Sequence, residues 1–256
     1  ICTSGDTSLW FGPISACPDE TLCTDDFDQY ATGEIDAQSA LFVGWYGGAA
    51  GDAEVSTTQS SSGSNSLNIT DQGPAGFTDV VAYFDTISSG AWELSWEMYV
   101  ESNDGAYFNI QQNHALSGVG NQWNAELYFQ ANGSVRVQHS AAATIVGSFN
   151  YTQGSWFTMS TIIDLDNDTI WFEVNGSPVN VGFTYSAANV GQPLQFNGVN
   201  FYSGVLAGQT YDIDYYVDDF CVQPATISSP CPLVNQLATS NIACDETTVS
   251  WQSNSG

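Results

Sequence analysis

The run Trp92-Glu93-Leu94-Ser95-Trp96-Glu97-Met98-Tyr99-Val100 places Trp92, Leu94, Trp96, Met98 and Val100 at every second position. Successive side chains of a strand point to opposite faces, so the run predicts an antiparallel strand with one buried and one wet face. On a helix the same residues would scatter around the axis and form no stripe. The pattern recurs in 169–174, where Ile170, Phe172 and Val174 fall on the core side. Shorter segments of the same character lie at 40–45, 66–70, 79–84, 106–111, 124–129, 134–138, 156–164, 199–202 and 211–222, punctuated by Gly, Ser and Asn. Asp166-Asn167-Asp168 and Asn175-Gly176-Ser177 supply turn chemistry on either side of 169–174. Strands this short and this numerous predict an all-β fold, a two-sheet antiparallel jelly-roll sandwich.

Composition supports a folded chain and removes whole classes of partner. The 256 residues are 43% hydrophobic and 13% aromatic, enough for a sizeable core. Against 28 acidic residues stands one basic residue, Arg136, giving a formal charge of −27. Such a chain cannot neutralise phosphates, which excludes nucleic acid, and an anionic membrane surface repels it. No apolar run approaches the ~18 residues of a membrane span, so membrane insertion is not expected. The self-repulsion needs an offset, for which bound divalent cations and high ambient salt are the obvious agents. Cys2, Cys17, Cys23, Cys221, Cys231 and Cys244 form an even set without a CxxC pair. That usage predicts disulfides made in an oxidising compartment, hence an extracellular or cell-surface setting, with the pairing open. The absence of an initiator Met and of a signal peptide suggests a mature or excised chain.

The motifs Asp26-Phe27, Gln38-Ser39, Trp92-Glu93-Leu94-Ser95, Tyr99-Val100, Ala106-Tyr107-Phe108-Asn109-Ile110-Gln111, Trp156-Phe157, Ile163-Asp164-Leu165-Asp166, Val174-Asn175-Gly176 and Tyr215-Tyr216-Val217-Asp218-Asp219 follow one another in a familiar order. Over residues 25–223 the chain resembles the laminin-G/concanavalin A-like domains of Bacteroidota surface proteins. The resemblance implies an adhesive or carbohydrate-contacting module, often found beside fibronectin type III repeats on type IX-secreted proteins. It also implies O-glycosylation at Asp-Ser/Thr-aliphatic motifs, which makes Thr86 and Thr169 candidate sites; in a eukaryotic source Asn68, Asn132, Asn150, Asn167 and Asn175 would be sequons instead. Residues 1–24 form a Cys-containing N-terminal segment without periodicity. Residues 224–256 read as a linker followed by a short fragment of a second β-domain, because Thr247-Thr248-Val249-Ser250-Trp251 resembles a fibronectin type III strand. A complete domain of that kind needs about 100 residues, so the chain is expected to be part of a longer polypeptide.

Catalysis is not expected. Glu34-Ile35-Asp36 begins like a laminarinase-type Glu-x-Asp-x-x-Glu strand, but Ala37, Gln38, Ser39 and Ala40 follow and the second glutamate is missing. A polysaccharide lyase needs basic or tyrosyl groups clustered around a uronate, and the chain offers only Arg136, His114 and His139 among cationic side chains. Arg136 and His139, three apart on one strand, should face opposite sides. No Gly-x-Ser-x-Gly elbow is present, and His114 reads as a loop residue.

Two binding constellations remain. Asp25, Asp26 and Asp28, the Asp164, Asp166 and Asp168 turn, and Asp212, Asp214, Asp218 and Asp219 offer the hard oxygen ligands that calcium prefers. If the first and last strands pair, Asp26 meets Asp218 or Asp219, an arrangement that calls for a cation between them. The ion would be structural. Trp45 and Tyr46, with Trp123 and Asn124, set aromatic rings among small and amide-bearing residues, a combination suited to stacking on sugars and bonding their hydroxyls. Trp92, Trp96, Trp156 and Trp171 fall in strand patterns and read as core. The sequence therefore predicts an extracellular structural or adhesive module, with an extracellular glycan or neighbouring copies of the chain as partner. The alternative is a carbohydrate-binding module appended to a secreted polysaccharide-degrading enzyme.

Overall fold

The structure, a computed structural model, describes residues 23–47, 51–73, 76–139, 144–205 and 207–225. They form an all-β sandwich of two antiparallel sheets. The strands are β1 (Cys23–Asp25), β2 (Gly33–Glu34), β3 (Phe42–Gly44), β4 (Glu54–Ser56), β5 (Ser66–Thr70), β6 (Asp79–Ile87), β7 (Ala91–Val100) and β8 (Ala106–Asn113). They continue with β9 (Gln122–Phe129), β10 (Ser134–His139), β11 (Thr144–Asn150), β12 (Phe157–Asp164), β13 (Thr169–Val174), β14 (Ser177–Thr184), β15 (Phe196–Tyr202) and β16 (Asp214–Pro224). The nine-stranded sheet runs β14-β13-β12-β7-β16-β5-β4-β2, with β1 also paired to β16. The seven-stranded sheet runs β11-β10-β9-β8-β15-β6-β3. Segments 1–22 and 226–256, including Cys2, Cys17, Cys231, Cys244 and the Thr247–Trp251 strand, lie outside the described residues, as does the side chain of Cys23. Cys221 is disulfide-bonded.

The alternation in β7 is realised as expected. Leu94, Trp96, Met98 and Val100 are buried, and Trp92 packs at the margin of the core. Trp96 joins the sheets: its ring lies 4.7 Å from Phe108 and 5.2 Å from Phe201 of the opposite sheet, both nearly perpendicular, and 6.1 Å from Phe220 in a stacked arrangement. Edge-to-face packing of this kind adds to the large apolar area each ring buries. Two corrections concern tryptophans. Trp171 alternates with the buried Ile170 and Phe172, so the pleat turns it outward. Trp156 precedes β12 and rests on Tyr99, at 5.6 Å, on the outer face.

Two strands carry little apolar signal. In β11 only Phe149 is buried, and in β14 only Val181. Both are edge strands, so one rim of backbone pairs and most side chains meet water; hydrophobic periodicity is weak there by construction. The long β16 anchors the opposite end. Its first half pairs with β5, and Asp25 of β1 sits opposite Phe220 in its second half. A bulge between Asp218 and Cys221 marks the junction, and Asp219 takes a positive φ of 49° there.

Candidate functional site

The outer face of the seven-stranded sheet carries a lattice set by strand register. Ala106, Phe108 and Ile110 of β8 point inward, which turns Tyr107, Asn109 and Gln111 outward. Across β9, Tyr107 sits opposite Tyr128, Asn109 opposite Glu126 and Gln111 opposite Trp123. On the other side, Asn109 faces Asn200 of β15 and Gln111 faces Gly198, while Tyr202 faces Asp79 of β6. A Cβ at Gly198 would press on Val81 and the Ala82 carbonyl at 3.1 and 3.0 Å, so the strands approach closely here.

These side chains form one hydrogen-bonded chain across five strands. Tyr107 donates its phenol to Glu126 Oε1 at 2.8 Å, and Tyr128 donates to the same oxygen at 3.1 Å. Gln138 of β10 donates to Glu126 Oε2 at 2.9 Å. Asn109 Nδ2 donates to the Tyr107 oxygen at 3.1 Å and to Asn200 Oδ1 at 2.7 Å, while its own Oδ1 accepts from Gln111. Asn200 Nδ2 ends the chain on Asp79 Oδ1 at 2.7 Å. Burial, with the Glu126 charge beside it, holds the Tyr107 and Tyr128 phenols well above their ordinary pKa, so both act as donors at any working pH. Burial pushes the Asp79 carboxyl up to about 6, against the pull of the Asn200 amide.

An aromatic cluster closes one end. Trp45 lies 6.1 Å from Trp123 and 6.5 Å from Tyr46. Its relative exposure is only 9%, against 43% for Trp123 and 74% for Tyr46, so Trp45 backs the two exposed rings. Beneath Trp45, at 4.8 Å, sits the His114 ring, flanked by Tyr83 at 5.5 Å. His114 follows β8, and Asn197 clamps it by accepting from its N–H and donating to its carbonyl. Burial lowers its pKa to about 4, so the imidazole is neutral and serves as packing. Together the rings and the lattice line a cavity of about 290 Å³, walled by Trp45, Tyr46, Trp123, Tyr107, Tyr128 and Tyr202 and floored by Asn109, Asn200, Glu126 and Asp79.

Of the residues anticipated from sequence, Trp45, Tyr46 and Trp123 thus come together. Asn124 does not join them. A bulge in the β8–β9 pairing turns it inward, where it is fully buried and donates to Gln112 Oε1 and the Tyr185 carbonyl, both at 2.9 Å. Arg136 and His139 face opposite sides as expected: Arg136 stands beside Tyr128 on the outer face, and His139 meets Phe183. Glu34 and Asp36 lie in and beside edge strand β2, where Asp36 accepts from the Gly44 N–H. Thr86 is exposed in β6, and Thr169 opens β13 half-buried.

The acidic groups separate. Pairing of β1 with β16 brings Asp26 and Asp219 close enough for their charges to interact; burial raises Asp26, and Asp28 and Asp219 add to the rise. Asp218 is fully buried and pushed up to about 7 by that burial, although Ser61 and Ser62 donate their N–H groups to it at 2.8 and 3.1 Å. Asp28 accepts from the Ser64 and Asn65 N–H groups, and Gly63 comes so near that a Cβ would overlap the carboxylate. Asp164 caps its own turn through Asp166 and Asn167, Asp166 accepts from the Gly90 N–H, and Asp168 accepts from Ser186. Among the described residues no group of three His, Cys, Asp or Glu is disposed to hold a metal ion.

Sequence reasoning missed the floor: Asp79, Tyr107, Asn109, Glu126, Tyr128 and Asn200. A signal was present. Tyr107-x-Asn109-x-Gln111, Glu126-x-Tyr128 and Asn200-x-Tyr202 occupy wet-face positions with tyrosines and amides. An ordinary solvated face carries more flexible charged residues.

The sandwich is similar to several solved structures at low identity. A sialidase matches with a TM-score of 0.54 at 15% identity over 79% of this chain, which spans 18% of the sialidase's length. The cellulose-induced protein Cip1 matches at 0.51 with 14% identity, covering 75% of this chain and 96% of that one. A family 7 alginate lyase in complex with substrate matches at 0.51 with 9% identity, covering 75% and 97%. The likeness shows the fold alone, a two-sheet antiparallel jelly-roll sandwich. No protein-family model matches the chain, and no curated protein matches it.

Proposed function

We propose that the chain is an extracellular carbohydrate-binding module that uses its seven-stranded sheet to hold a glycan and so attaches the protein to a surface. One observation carries this reading: exposed rings at Tyr46 and Trp123 stand at the end of a hydrogen-bonding floor made of carboxylates, amides and phenols. Rings offer apolar faces for pyranose stacking, and the floor offers polar partners that are already oriented. The likeness to laminin-G modules and the adhesive role are part of the same proposal. The Cys221 disulfide favours an oxidising, extracellular setting.

The module is proposed to bind without cleaving. Both oxygens of Glu126 are engaged by Tyr107, Tyr128 and Gln138, which suits holding a carboxylate in place better than moving protons. A glycan array with the 256-residue chain tests the reading. Micromolar binding to a defined glycan class, with no new reducing ends or 235-nm absorbance on incubation, is the expected result. A blank array removes the glycan function, and product formation removes the non-enzymatic part.

Calcium is proposed as a structural counter-ion near Asp26 and Asp219, where like charges meet across the β1–β16 pair. Thermal melts in calcium and in EGTA test it. Coincident midpoints remove the ion from the account.

A further inference from the structure

We propose, building on the glycan reading, that the groove takes an uncharged glycan and reads it through hydroxyl donors to Asp79 and Glu126, discriminating against uronates and other anionic sugars. Two charged side chains line the cavity. They are Asp79 and Glu126, both acidic. Arg136, the single Lys or Arg of the chain, stands beside Tyr128 next to the cavity rather than in its lining.

The floor is also rich in acceptors. A carboxylate offers about four acceptor positions. Glu126 uses three, on Tyr107, Tyr128 and Gln138, and Asp79 uses one, on Asn200. The phenols of Tyr107 and Tyr128 are committed inward to Glu126, and the amides of Asn109 and Asn200 on the floor to their neighbours. Such a surface matches a ligand that donates. Sugar hydroxyls do so: a vicinal pair fits Asp79, which accepts only from Asn200 on one oxygen, and a single hydroxyl fits the position left on Glu126. A uronate carboxylate is acceptor-only and would meet two like charges in a partly desolvated groove, on a chain of net charge −27. The sialidase and alginate lyase folds resembled here therefore do not carry over their sugar class.

The test is calorimetric titration of the 256-residue chain with neutral gluco-, galacto- and manno-configured hexaoses, with alginate and galacturonate oligomers, and with a chitosan oligomer. The expected result is binding to at least one neutral series, tighter than any uronate by tenfold or more and nearly independent of salt. Glu126→Gln should weaken neutral binding at least tenfold. Asp79→Asn, at the end of the network and less exposed to misfolding, should narrow the gap between neutral and uronate ligands. Uronate or amine oligomers binding as tightly as the neutral ones would overturn this proposal while leaving the glycan reading in place. Absence of binding to every oligomer would overturn both. Unchanged neutral affinity in both folded variants would overturn the assigned roles of Glu126 and Asp79.

Discussion

Tyr107 donates to Glu126 at 2.8 Å across the β8–β9 pair, and the bond is buried. A charge-assisted bond in such surroundings is strong, and its neighbours polarise it further. It fixes where the carboxylate points, so a ligand meets an oriented acceptor without first ordering it.

Tyr107→Phe tests that bond. The change removes the donor to Glu126 and the acceptor of Asn109 while keeping the ring beside Tyr128, whose centroid is 4.7 Å away. We expect a loss of about 1–3 kcal/mol in urea unfolding, the cost of leaving buried polar groups unpaired. Glycan affinity should fall with it. Wild-type stability would mean that Tyr128 and Gln138 alone hold the carboxylate.

Tyr46→Ala and Trp123→Ala should separate binding from folding. Both rings are substantially exposed, at 74% and 43%, so truncation should alter stability by roughly 0.5 kcal/mol or less. Each should weaken glycan binding about tenfold, or about 1.4 kcal/mol. Melting curves and calorimetry on the same samples check both halves.

Trp96→Ala should act oppositely. Its ring joins Phe108 and Phe201 to Phe220 across the sandwich, and it is 1% exposed. A loss of about 3–5 kcal/mol in unfolding free energy is expected. A smaller loss would show that the two sheets can close over the gap.

Mild acid should stabilise the fold. Burial raises Asp52 and Asp79 from 3.8 to about 6, so the folded state binds protons more tightly than the unfolded chain does. Their contribution is complete below 3.8 and is lost as pH rises through about 6. Asp25, raised to about 6, and Asp218, raised to about 7, act in the same direction. His114 opposes them, since its fall from 6.5 to about 4 removes stability as pH drops through that window. With these four carboxyls, and Asp26, Asp104 and Asp214 raised in the same direction, against one imidazole, the melting midpoint should rise as pH is lowered from about 8 to about 5. Asp52→Asn and Asp79→Asn should flatten the slope, and a midpoint that falls on acidification would contradict the assignment.

How far the site was legible can be read from four residues. Trp45 and Trp123 lie far apart in sequence, yet each stood out as an aromatic residue in a polar, flexible context. Asn124 shared that context and was misplaced, because one bulge reversed its side. A bulge adds a residue without changing composition, so it leaves no periodic trace. Glu126 was invisible for another reason: a carboxylate on a wet face looks like solvation until its partners are known.

The strands with one buried face, the side each residue takes in a regular run, and the net charge that opposes polyanionic partners follow from the sequence, because alternation and net charge are local or additive properties. The pairing of β8 with β15, the convergence of Asp79 with Glu126 and the placing of His114 beneath Trp45 belong to the tertiary structure. Those relationships join residues distant along the chain, and only the register of paired strands brings them within hydrogen-bond and ring-contact range.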